Sequence, residues 1–165
     1  MGELRFYHLT EVPLERALPV MLERTLERGQ RAVIRGGHAD RLGFLNGLLW
    51  TYDDAGFLPH GMDGDTDAAE HPVWLTVQAE IPNGAKTLFL IDGAEVSSEE
   101  VSDMEVTALL FDGHDESAVE AARRQWKALT SGGQKAVYWA QEGGSRWVKK
   151  AESGIQQVTG RLGER

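Results

Sequence analysis

The chain has 165 residues, 26% of them charged and 41% hydrophobic, with a formal net charge of −9. That length and mix are those of one globular domain with a real core, and the acidic balance disfavours non-specific duplex binding, which needs a broad basic field. There are no cysteines, which excludes disulfides, thiolate zinc sites and thiol catalysis.

The opening MGELRFYHL is charged within four residues and has no long apolar run. No signal peptide or membrane span is read there, and the cytoplasm is the expected location. Residues 4–9 (LRFYHL) form the first predicted strand. Residues 14–28 carry Leu14, Ala17, Leu18, Met21, Leu22 and Leu26 at helical spacing. Gly29 is a natural stop. Residues 31–35 (RAVIR) are short and β-branched, a second strand parallel to the first if the helix is a crossover. Gly36 and Gly37 turn into a helix over 39–50, with Leu42, Leu45, Leu48 and Leu49 on its buried side.

Periodicity then fails. Residues 51–71 hold glycines, Pro59 and many acidic side chains, and are expected to be mostly loop. Residues 72–81 (PVWLTVQAEI) resume as a strand, and 87–92 (TLFLID) read as a fully buried one. Residues 93–103 are polar, with one short helical turn expected around 97–101. Another buried strand is predicted over 106–111, a helix over 118–129 (AVEAARRQWKAL), a strand over 136–141, and a final segment over 146–150. Apolar periodicity is lost from Ala151, so one domain over 1–150 is expected, with 151–165 a frayed or disordered extension. Alternating strands and helices indicate a three-layer α/β/α domain with a mixed, mostly parallel sheet.

The helix over 118–129 holds the most informative pattern. At about 100° per residue, Ala118, Ala121, Ala122, Ala128 and Leu129 fall on one side. Small residues there would let the helix lie close to a sheet. Val119, Arg123, Trp126 and Lys127 fall on the other side, which would display a tryptophan between two cations. An exposed aromatic beside arginine is a mark of binding surfaces. The alternative is that Trp126 packs under a neighbouring loop.

Catalytic motifs are absent. Val33 to Gly37 is a strand running into glycines, but no Lys-Ser/Thr pair follows and no G-x-G-x-x-G occurs. No H-E-x-x-H or G-x-S-x-G is present. His8 reads as a hydrogen-bonded strand histidine. Asp63, Asp65 and Asp67 alternate like the start of a calcium loop, but the sixth position is Ala68 and the twelfth Trp74, so no metal site is expected. Asp112 or Asp115 is expected to cap the helix over 118–129. Trp50, Phe57, Leu58 and Pro59 are apolar residues around a glycine-bounded acidic loop, either tucked onto the core or displayed to a partner.

Taken in order, FYHL, the GQRAVI strand, LW…FLPHG, PVWLT and AARRQWKAL…VYWAQ…RWVKKA resemble the chi subunit family of the bacterial DNA polymerase III holoenzyme. The resemblance covers about residues 4–150. It implies a doubly wound, Rossmann-like fold without a nucleotide site, no cofactor and no catalytic residues. It implies a clamp-loader accessory subunit with two partners. One is the acidic C-terminal tail of single-stranded-DNA-binding protein, which ends in an apolar residue with a free carboxylate. The other is the psi subunit or another clamp-loader component, so DNA is met only indirectly. The resemblance assigns tail binding to Arg123 and Lys127, with Trp126 where some members have tyrosine and Val119 where some carry another cation. It assigns the psi-facing surface to Trp50, Phe57, Leu58 and Pro59. Two alternatives stand beside it. One is a nucleotide-binding α/β enzyme using the Gly36-Gly37 turn. The other is direct single-strand binding through Arg123, Trp126, Lys127 and Trp139.

Overall fold

A computed structural model describes residues 2–51, 59–143 and 146–153. β1 (Glu3–Leu9), α1 (Leu14–Glu27), β2 (Ala32–Gly36) and α2 (Ala39–Thr51) open the chain. β3 (Gly61–Met62), β4 (Val73–Thr76), β5 (Thr87–Ile91) and α3 (Ser98–Asp103) follow. β6 (Val106–Asp112), α4 (Glu116–Ser131), β7 (Ala136–Glu142) and β8 (Arg146–Glu152) close it.

The strands form one sheet in the order β3-β4-β2-β5-β6-β1-β7-β8, parallel throughout except for the antiparallel β8. This is the mixed, mostly parallel α/β/α arrangement that the alternating pattern predicts. A parallel sheet covered on both faces needs strands that are apolar throughout, and β4 and β5 are buried along their whole length.

Two cores result. One joins Leu18 and Leu22 of α1 and Leu42, Leu45 and Leu49 of α2 to the first face. The other joins Val101 of α3 and Ala122 and Leu129 of α4 to the second face. The order explains where α4 lies. β6 and β7 flank β1, so the helix that connects them must cross over β1. Leu4 and Phe6 of β1 belong to the core beneath it.

Three expectations differ in extent. The strand expected over 72–81 stops at Thr76, because side chains take the next donors. The Asp63 carboxylate accepts the Val77 N–H at 2.9 Å, and Thr76 Oγ1 accepts that of Gln78 at 2.8 Å. The loop expected over 51–71 contains β3, paired to β4. The segment after Gly143 is an edge strand that runs to Glu152, two residues beyond the expected domain end, and the Ser153 N–H bonds to the Ala136 carbonyl at 2.8 Å. The rest of the expected extension lies outside the described residues.

α3 is short but doubly secured. Ser97 and Glu100 form a reciprocal capping box. The second Glu100 oxygen accepts from Arg35 at 2.9 Å, and Arg35, at the end of β2, is only 5% exposed. Burial pushes the Glu100 carboxyl up, but hydrogen bonds from Arg35 and the Ser97 backbone outweigh it and hold it below its ordinary 4.5. A depressed carboxyl contributes stability above its unfolded value, and loses it as pH falls through the folded one. Glu100→Ala should therefore cost about 2–3 kcal/mol near neutrality. That is less than for a fully buried pair, since the Glu100 side chain is 34% exposed. In urea titrations the deficit should shrink as pH falls from about 6 to about 3.

Candidate functional site

The last helix is positioned by its own ends. The Asp115 carboxylate accepts the N–H groups of Ser117 and Ala118 as N-cap, in accord with the expectation for that residue. α4 extends two residues beyond the predicted range at each end.

Its faces need a correction. The buried residues are Ala122 and Leu129, with Ala118, Val119 and Trp126 packed against the same core; Ala128 is exposed. The buried stripe is thus centred on Ala122, and Trp126 lies on its flank rather than opposite it. The Trp126 ring meets Phe6 edge-on at 5.2 Å and 74°, and Tyr138 at 5.8 Å and 75°. Trp126 is neither fully displayed nor under a loop: it packs on the core and keeps part of its surface exposed.

The neighbours of Trp126 on the sheet follow from register. Phe6 pairs with Leu109 on β6 and Tyr138 on β7, and His8 pairs with Phe111 and Ala140. His8 stacks on Phe111 at 4.8 Å, and its Nδ1 lies 2.8 Å from the Tyr138 hydroxyl. Trp126, Tyr138 and His8, each half-buried, thus form one aromatic patch on the second face of the sheet. Arg123 and Lys127 are exposed on the helix beside it, and neither forms an ion pair among the described residues.

Arg123 acts electrostatically on both His8 and Tyr138. Burial pushes the His8 imidazole below its ordinary 6.5; the Gly113 backbone opposes that shift, Arg123 and His114 add to it, and Asp112 opposes it. Burial raises the Tyr138 phenol, and Arg123 opposes that rise. A cation beside a partly exposed aromatic patch accepts an anionic group and an apolar group side by side. Tyr138 and His8 are the members that sequence reasoning missed. Their signal was the alternation of β1 and β7, legible only once the two strands are known to be neighbours.

The other predicted groups are placed as follows. Phe57 and Leu58 lie outside the described residues, as does the side chain of Trp50, whose backbone is near the end of α2. Pro59 is half-buried. Trp139 is not brought to Trp126: it pairs with Tyr7, which packs on the first face of the sheet, whereas Tyr138 packs on the second. A single strand of bases cannot stack on both indoles. The Gly36-Gly37 turn is also engaged. The Gly37 N–H donates to the Ile91 carbonyl at 3.2 Å, and a Cβ there would sit 2.1 Å from the Asp92 carbonyl oxygen. It is a packing turn with no free donor for a phosphate at Gly37.

A cleft of about 690 Å³ lies on the other side of α4, between the β1–α1 and β6–α4 connections. Glu11, Glu15, Asp92, Asp112 and Asp115 line it against Arg41, His38 and His114, a lining poorly matched to polyphosphate. Among the described residues no cluster of three or more metal-ligating side chains occurs, and no helix is long and apolar enough to cross a membrane.

Fold and site together define a doubly wound α/β protein whose nucleotide-type turn is closed by its own backbone and whose crossover helix presents a cation beside a half-buried aromatic patch. Residues 1–136 match the family model described as DNA polymerase III chi subunit, HolC, and the chain belongs to that family. A relative named as a probable DNA polymerase III subunit chi, from Rickettsia prowazekii (strain Madrid E), is 27% identical over 97 residues. The match covers 59% of each protein, so the chain spans less than two-thirds of that relative's length. Val119, Arg123, Trp126 and Lys127 lie inside the family match, and Tyr138 lies beyond it.

Proposed function

We propose that this protein is a non-catalytic accessory subunit of the replicative DNA polymerase, acting in DNA replication as a bridge. On this reading α4 holds the acidic C-terminal tail of single-stranded-DNA-binding protein. A second surface, at Trp50, Phe57, Leu58 and Pro59, holds a psi subunit or another clamp-loader component. The observation that carries the first half is the pairing of an uncommitted Arg123 with the half-buried Trp126–Tyr138 ring pair, which we read as an apolar trough. The last apolar side chain of the tail enters the trough, and its carboxylates meet Arg123 and Lys127. Val119, one turn before Arg123, widens the apolar part where a cation would narrow it. The second half rests on the resemblance carried by the LW…FLPHG segment.

The test is calorimetric titration with a synthetic acidic peptide ending in an apolar residue with a free carboxylate. Arg123→Ala should weaken binding about tenfold or more, the usual worth of a charge-assisted contact. Affinity should fall with added salt, since exposed charges are screened. An Arg123→Ala variant that binds as tightly as the wild type removes the site assignment.

A further inference from the structure

Resting on the reading of α4 as a carboxylate-terminated peptide site, we propose that the Tyr138 hydroxyl reads the terminal carboxylate, and that His8 must take up a proton to release that hydroxyl for the task.

The geometry sets up a two-state hydrogen bond. His8 Nδ1 and the Tyr138 oxygen are 2.8 Å apart, and either can donate. While the imidazole is neutral at Nδ1, the phenol must donate to it, so its only proton is committed inward. Once Nδ1 is protonated, the ring donates to the phenol oxygen and the hydroxyl hydrogen is free to turn outward. A carboxylate only accepts, so it gains a hydrogen bond in the second state alone. The phenol lies beside Trp126, at 5.8 Å between ring centres, and within the field of Arg123. It therefore sits where the tail's end would place its charge.

The surroundings hold His8 ready for this switch. The ring is fixed between Phe111 and Gly113, and any side chain at 113 would collide with the imidazole, with a Cβ only 2.3 Å from Nε2. The charged groups facing it are Asp112 and His114 from the β6–α4 connection, Arg123 from α4, and Tyr138 from β7. Arg123 and His114 oppose its protonation, whereas Asp112 and the Gly113 backbone favour it. A carboxylate on Arg123 offsets the largest cationic opposition. Peptide binding and proton uptake therefore favour each other, and by linkage affinity must rise as pH falls. Because burial holds the His8 imidazole below its ordinary 6.5, the window lies below that value and above the range in which the peptide's own carboxylates protonate.

The experiment is titration calorimetry of the full chain with the acidic peptide at about pH 5.8 and about pH 7.5, in buffers of different ionisation enthalpy. The wild type should bind about threefold or more tighter at the lower pH, with fractional proton uptake, since one unit of pKa change is worth tenfold. His8→Asn, which does not titrate, and Tyr138→Phe, which has no hydroxyl, should both bind with the same affinity at both pH values. Thermal melts establish that each variant is folded. A peptide with an amidated C-terminus should lose the pH dependence. Arg123-dependent binding with no pH dependence in the wild type overturns this inference and leaves the site reading standing. Persistence of the pH dependence in His8→Asn overturns it as well. Absence of wild-type binding at both pH values overturns both.

Discussion

Gln141→Ala should lower the free energy of unfolding by about 3–5 kcal/mol, although Gln141 touches no proposed ligand. Its side chain is 4% exposed. Its Oε1 accepts the backbone N–H groups of Thr10, Glu11 and Val12 at 2.9, 2.8 and 2.9 Å. Those donors belong to the turn between β1 and α1. α1 itself begins on Pro13, which offers no side-chain cap, so the glutamine on β7 supplies the acceptor that the turn lacks. A buried donor left unpaired costs about 1–3 kcal/mol; alanine would orphan three, and since they are part-buried each falls at the lower end. Gln141→Glu keeps the acceptor and should retain most of the stability. Urea midpoints of the two variants decide the matter, and equal midpoints for both would remove the assigned role.

Trp126→Ala should have two effects of comparable size. Truncating the indole removes its edge contacts with Phe6 and Tyr138 and opens a void over β1. Large-to-alanine changes in cores cost about 3–5 kcal/mol; a half-buried site should give the lower end, about 3 kcal/mol, in denaturant titration. Peptide affinity should also fall by about tenfold or more, because the trough loses its wall. Trp126→Phe separates the two, as it keeps a ring against Phe6 but shortens the wall. It should recover most of the stability and only part of the affinity. Full affinity in Trp126→Ala would show that the indole is core alone.

The layers of the fold were legible in the sequence because fully buried parallel strands are continuous apolar runs, such as TLFLI in β5, and the helices between them carry clear stripes. β3 was not legible, since a two-residue strand has no alternation to detect and is defined only by its register with Trp74 and Leu75. The candidate site was legible in part. Arg123 and Trp126 stood out by residue type. The tilt of α4 on the sheet did not, because a set of alanines reads as the buried face when the size of what lies below is unknown. Phe6 fills the space under Trp126, and so draws the indole inward while Ala128 faces water. Gln141 and His8 were illegible as functional groups, because what matters in each case is a hydrogen bond across more than a hundred residues of chain.

The chain has five tryptophans, so a nitrogen-15 spectrum offers five indole N–H signals as reporters of where the peptide sits. During titration with the carboxylate-terminated acidic peptide, the account predicts that the Trp126 indole signal shifts progressively and saturates, while those of Trp74 and Trp147 stay in place. A peptide that binds and leaves the Trp126 signal unmoved would contradict the account.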